Sequence, residues 1–105
     1  MSKPCTCPEP PYYSVIFANQ RTAEDPAGYD AMAERMFELA QRQPGYLGVD
    51  TARDAEGFGI TVSYWRDLEA IENWRINSDH LEAQQLGREK WYETFSLRVA
   101  RVERA

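Results

Sequence analysis

Apolar positions recur along this chain with two periods. YYSVIFANQR, residues 12–21, is rich in aromatic and β-branched residues and reads as a strand. Val15, Phe17 and Asn19 share one face by the two-residue period, and Ser14, Ile16 and Ala18 share the other. Both faces are largely apolar, so the strand is expected to be central and covered on both sides. TAEDPAG breaks it. Tyr29, Met32, Ala33, Met36 and Leu39 or Ala40 then recur at steps of three and four, which predicts a helix over 28–43 that Pro44 and Gly45 end. YLGVDTARD (46–54) and FGITVSYW (58–65) read as the arms of a hairpin, with Gly57 in its turn. Asp67 suits the N-cap of a short helix over about 68–76, carrying Leu68, Ile71 and Trp74. Asn77-Ser78-Asp79 is a break or a recap, and 80–92 is helical again. TFSLRVARVER (94–104) is the fourth strand.

The resulting order is β-α-β-β-α-β with a split second helix, the ferredoxin-like α+β pattern. Residues 1–11 hold four of the six prolines and are expected to be a flexible leader, with 12–105 a single domain. Helices on one face of a four-stranded sheet leave the other face bare. Because apolar residues populate both strand faces, a homodimer with two sheets face to face is the simplest way to cover it.

Composition narrows the function classes. The 105 residues carry a net charge of −5 and no Lys/Arg run, which argues against nucleic acid as a partner. No apolar run approaches a membrane span, and MSKPCTCPEP lacks the apolar stretch of a secretory signal, so a cytoplasmic protein is expected. Cys5 and Cys7 stand two apart, poorly placed for an unstrained disulfide and too few for a zinc site. There is no nucleophile elbow, no metal-ligand cluster and no phosphate-binding loop; GFG at 57–59 follows a turn rather than opening a helix.

The candidate chemistry gathers around the single histidine. If 80–92 is one helix, His80, Ala83, Gln84, Gly87 and Trp91 share a face. Small residues there leave room, and His80 and Gln84 supply hydrogen bonds. The same residues also suit a solvated first turn and close helix–sheet packing. Asn19 is polar on an apolar strand face: if buried it needs a partner, and a ligand is one. Arg21 shares that face and suits a solvated strand end, with attraction of an anionic substrate as the alternative. Trp74 suits core packing or a pocket wall. Tyr64 and Trp65 point to opposite faces, so one of them faces the helices.

PGYLG closing the first helix, ITVSYW on the third strand, the AIENW helix and the RVARVER ending resemble the antibiotic biosynthesis monooxygenase family over about residues 12–104. The resemblance implies a dimeric α/β barrel. It implies oxygenation of quinol-like aromatics without metal or flavin, or heme degradation, or no turnover at all. Heme-degrading relatives use a first-strand asparagine, matched by Asn19, and a tryptophan after the third strand, matched by Trp74. Their iron-ligating histidine falls here on Gln84 or Gln85, which is poor for heme iron. His80 lies one turn earlier. The expectation is therefore a cofactor-independent monooxygenase acting on a small aromatic molecule. His80 and Asn19 are its catalytic pair, and Trp74, Trp91, Tyr64 and Gln84 bind substrate. No metal is needed, and heme is the lesser alternative. A binding or stress-response module of the same fold is the non-catalytic alternative.

Overall fold

The computed structural model describes residues 3–105; Met1 and Ser2 of the leader lie outside the described residues. Four antiparallel strands form one sheet in the order β2-β3-β1-β4: β1 is Tyr12–Arg21, β2 Tyr46–Arg53, β3 Phe58–Trp65 and β4 Tyr92–Val102. The apolar β1 is central, as its two-sided pattern requires, and pairs with β3 and β4. Helices α1 (Pro26–Gln41), α2 (Leu68–Arg75) and α3 (Ser78–Leu86) follow the expected order.

The local signals that start each helix are visible as hydrogen bonds. The Asp25 carboxylate accepts from the Gly28 N–H, with Pro26 at the first helical position, so TAEDPAG begins a helix rather than only ending a strand. Asp67 Oδ1 accepts from the Ala70 N–H at 2.8 Å. The Asn77 side chain accepts from the N–H groups of Asp79 and His80, so the break between α2 and α3 is a recap.

One expectation changes. The helix read over 80–92 ends at Leu86, and Gly87–Trp91 forms a single π-helical turn that leads straight into β4 at Tyr92. Tyr92 therefore opens the fourth strand, two residues earlier than the pattern suggests. Its N–H is bonded to the Gly87 carbonyl across the turn.

The two faces of the sheet are unlike. Tyr13, Val15, Phe17 and Asn19 share a face with Ser63, Thr61 and Gly59 of β3, and with Val99, Leu97 and Phe95 of β4. This is the helix side, because Trp65 on it stacks against Trp74 of α2. The helices do not cover all of it: Phe95, Leu97 and Val99 remain 48%, 58% and 47% exposed. The opposite face carries Ile16, Ala18, Val62, Ile60 and Phe58, the last two exposed.

At one end of that second face the leader lies against the sheet. The Cys5 N–H donates to Asp50 Oδ1 at 2.7 Å, and Cys5 Sγ sits where a side chain on Gly48 would stand. The thiols of Cys5 and Cys7 share a hydrogen bond at 3.8 Å and form no disulfide. Burial, then the neighbouring Cys5 thiol, pushes the Cys7 thiol up to about 11.

Candidate functional site

The residues singled out from sequence fall into two clusters on the helix side of the sheet, with one exception. The first cluster is a column of aromatic rings. Trp65 is wholly buried. Its indole N–H donates to Ser63 Oγ at 2.9 Å, and Tyr46 meets its ring edge-on. Trp74 stacks on Trp65 with centroids 6.1 Å apart, and His80 stacks on Trp74 at 4.2 Å and 20°. His80 Nδ1 lies 2.8 Å from the Trp74 carbonyl oxygen. A carbonyl only accepts, so Nδ1 carries the hydrogen and Nε2 is the lone-pair nitrogen. Burial holds the imidazole below its ordinary pKa, and the Trp74 carbonyl opposes this only in part. His80 is thus a neutral base at neutral pH, with its ring plane fixed by stacking.

The second cluster lies at the far end of the same face. From Tyr13, opposite Trp65, to Asn19, opposite Gly59, β1 covers about 20 Å. Asn19 is 2% exposed, and neither its Oδ1 nor its Nδ2 has a hydrogen-bond partner among the described residues. Such a group costs roughly 1–3 kcal/mol unless something pairs with it. Arg53 of β2 reaches across β3 towards it, because Gly59 has no side chain: a Cβ there would come 2.7 Å from Arg53 Cζ. The Arg53 guanidinium donates to the Gly57 carbonyl at 2.6 Å and to the Tyr29 hydroxyl at 3.0 Å. Arg21 lies over the Tyr29 ring, 3.7 Å from its centroid. Trp91 and Tyr92 meet Tyr29 edge-on, and Phe17 meets Tyr92 the same way. Burial, then its contact with the Tyr29 hydroxyl, raises the Tyr92 pKa.

So Asn19 and Trp91 share one end, and Trp74 and His80 share the other. Residues 80 to 91 connect the ends over roughly 16 Å. Gln84 is half-buried between them, but its amide donates to the Arg75 carbonyl and so braces the end of α2. Tyr64 is the exception and a correction: it faces away from the helices. One step along a strand reverses the side chain, and Trp65 takes the inward place. The Tyr64 hydroxyl donates to Asp50 Oδ2 at 2.8 Å; burial, then that bond, pushes it up to about 12. Sequence reasoning missed Tyr29 and Arg53 as site residues. The signal for Arg53 is its place two steps from Thr51 on an inward face, opposite a glycine. The signal for Tyr29 is its position as the first aromatic residue of α1.

Residues at the position where heme-degrading relatives carry a histidine do not fit iron. Gln84 is engaged with Arg75, and Gln85 is exposed and bonded to Glu89. Among the described residues, no group of three or more His, Cys, Asp or Glu is placed to hold a metal ion, and no helix is long and apolar enough to cross a membrane.

Comparisons with known proteins bear on the fold and the family. The chain is 52% identical over 97 residues to YqjZ, an uncharacterized protein of Bacillus subtilis (strain 168), covering 92% of this chain and 84% of that one. It is 24% identical over 98 residues to the jasmonate monooxygenase ABM of Pyricularia oryzae, covering 92% of this chain but 40% of that longer protein. Among solved structures, it resembles the cofactor-independent oxygenase SnoaB of Streptomyces nogalater. The TM-score is 0.76 at 14% identity, over 91% of this chain and 97% of that one, a likeness of fold. The sequence model of the antibiotic biosynthesis monooxygenases matches residues 15–86, more than half of the chain, and the protein belongs to that family.

Proposed function

We propose that this protein is a cofactor-independent monooxygenase that oxidises a small aromatic or quinol-like substrate held between the helices and the sheet. The observation that carries this reading is Asn19: a buried amide with both polar atoms unpaired, on the face of a central strand that the helices flank. A bound substrate supplies the missing partner. His80 stands at the opposite end of the same layer, roughly 16 Å off, so the substrate is extended enough to meet Asn19 with one end and His80 with the other. The lone-pair Nε2 of His80 accepts a proton from the substrate hydroxyl, and the resulting phenolate passes electrons to dioxygen. One oxygen atom enters the substrate and the other leaves as water, with all electrons drawn from the substrate. The protein contributes orientation and a dry apolar layer, in which Trp74 and Trp91 are walls. The SnoaB likeness supports the fold for this chemistry.

Oxygen uptake over a panel of quinols and hydroxynaphthalenes tests the reading. Turnover in the wild type should fall at least about 100-fold in His80→Ala. Ligand-induced thermal shifts without oxygen uptake would replace the enzyme with a binding module of the same fold.

We further infer a homodimer in the cytoplasm. The face away from the helices keeps Phe58 and Ile60 exposed, and a second copy of the sheet covers them. Light scattering at micromolar concentration should give twice the chain mass; a stable monomer would remove this inference.

A further inference from the structure

We propose that Arg21, Arg53 and Asn19 form a subsite for an anionic oxygen group, a carboxylate or phenolate, at one end of an otherwise apolar substrate. This rests on reading the space between helices and sheet as the substrate site, and it names the class of molecule that site takes.

The charges at this end are unusual for so acidic a chain. Arg21 keeps only about a fifth of its side chain exposed, at 19%. Its nearest carboxylate is Asp30, 3.8 Å away and 75% exposed, too loose and too wet to neutralise it. Its guanidinium rests on the Tyr29 ring instead. Arg53 donates to a carbonyl and to a hydroxyl, both uncharged, so its positive charge also has no matching carboxylate in those bonds. Asp54, Glu56 and Glu93 are near by sequence and fold, but they line the open cleft of about 700 Å³ at the end of the sheet, with Arg21 and Arg53 along its wall. Asp54 spends its Oδ1 on the N–H groups of Glu56 and Phe58 in the hairpin turn.

Half-buried guanidiniums without a close, well-bonded carboxylate are costly, and an incoming anion relieves that cost through charge-assisted hydrogen bonds. Arg is suited to the task because its planar fork matches two oxygens at once. The independent observation is Asn19. Its unpaired Nδ2 is a further donor, and its neighbours on the face are Arg21 along β1 and Arg53 across Gly59. Phe17 and Phe95 flank the same spot, so the rest of the ligand meets aromatic surface. The ligand class is therefore an aromatic or aliphatic body ending in one negative oxygen group.

The test measures binding rather than turnover. Wild-type protein is titrated with 2-naphthoate, with its neutral amide, and with 2-naphthol across its ionisation, following tryptophan fluorescence. The naphthoate should bind at least about tenfold tighter than the amide. Arg53→Gln should abolish that preference while leaving amide affinity in place, and Arg53→Lys should restore part of it. Arg21→Gln serves as the second variant if Arg53→Gln does not fold. Tightening of naphthol only above its pKa would assign the subsite to phenolates; preference for naphthoate at all pH values would assign it to carboxylates. Equal affinity for acid and amide, or a preference that survives in both variants, overturns the subsite and leaves the proposed oxygenase standing. Binding of none of the three overturns the subsite and the pocket together.

Discussion

The two ends of the helix-facing layer solve the same problem in opposite ways. At the Trp65 end both N–H groups named have a partner, the indole N–H on Ser63 and the imidazole Nδ1–H on the Trp74 carbonyl, and only the Nε2 lone pair of His80 is left open. At the Asn19 end the aromatic rings are just as dense, yet an amide is buried unpaired beside two guanidiniums. The first end is packed and bonded as core apart from that one lone pair. The second is finished only when something binds. Unsatisfied polarity, rather than empty volume, is what separates a site from a core here.

Substitutions at the two ends should therefore differ in sign. Trp65→Ala removes a wholly buried ring and should cost about 3–5 kcal/mol in denaturant unfolding, the largest effect in the chain. Asn19→Leu keeps the shape and removes the unpaired amide; it should raise stability by roughly 1–2 kcal/mol while abolishing oxygen uptake. If Asn19→Leu destabilises instead, the amide has a structural partner and the contrast collapses. Asn77→Ala removes the cap that starts α3 beneath His80; it should cost about 1 kcal/mol in the same unfolding experiment and lower turnover through misplacement of the ring.

The smallest effect concerns pH. In the unfolded chain the His80 imidazole gains a proton near its ordinary value of 6.5, whereas in the folded protein burial delays protonation to lower pH. Between those values the unfolded chain holds more protons, so the stabilising contribution is complete above about 6.5 and declines below it. Stability curves of wild type and His80→Phe should converge in slope above that pH and diverge below it. Equal slopes throughout would mean that the histidine is solvated, and the Trp65 end would lose its core-like character.

Most of the fold was legible because the strands and helices announce themselves by period and by caps. Val15, Phe17 and Asn19 on one face, Asp67 before α2 and Gly57 in the hairpin each act locally. The family resemblance was legible from motifs that lie on those same elements. The site was legible only in part. His80 and Trp74 meet because their elements are neighbours in sequence, six residues apart. Arg53, Tyr29 and Asn19 come from three elements, and nothing local says that the Arg53 side chain crosses a strand over a glycine. Alternation says that Tyr64 and Trp65 face opposite ways, without saying which one faces in. The covering layer decides that, and the tryptophan has a tryptophan to stack on.

The π-turn at Gly87–Trp91 has a consequence for how one chain segment can present its rings. On an ordinary helix, consecutive residues diverge by about 100°. On a strand they oppose each other. At a junction between helix and strand, a widened turn reconciles the two. The hydrogen bond from Tyr92 back to Gly87 makes those two residues the pair that stack along the axis, and a Cβ on Gly87 would come 2.8 Å from the Tyr92 ring. Trp91 and Tyr92, adjacent in sequence, therefore both meet the Tyr29 ring edge-on. Glycine is the hinge-pin of that arrangement: any larger residue there would displace the Tyr92 ring from its place against Tyr29.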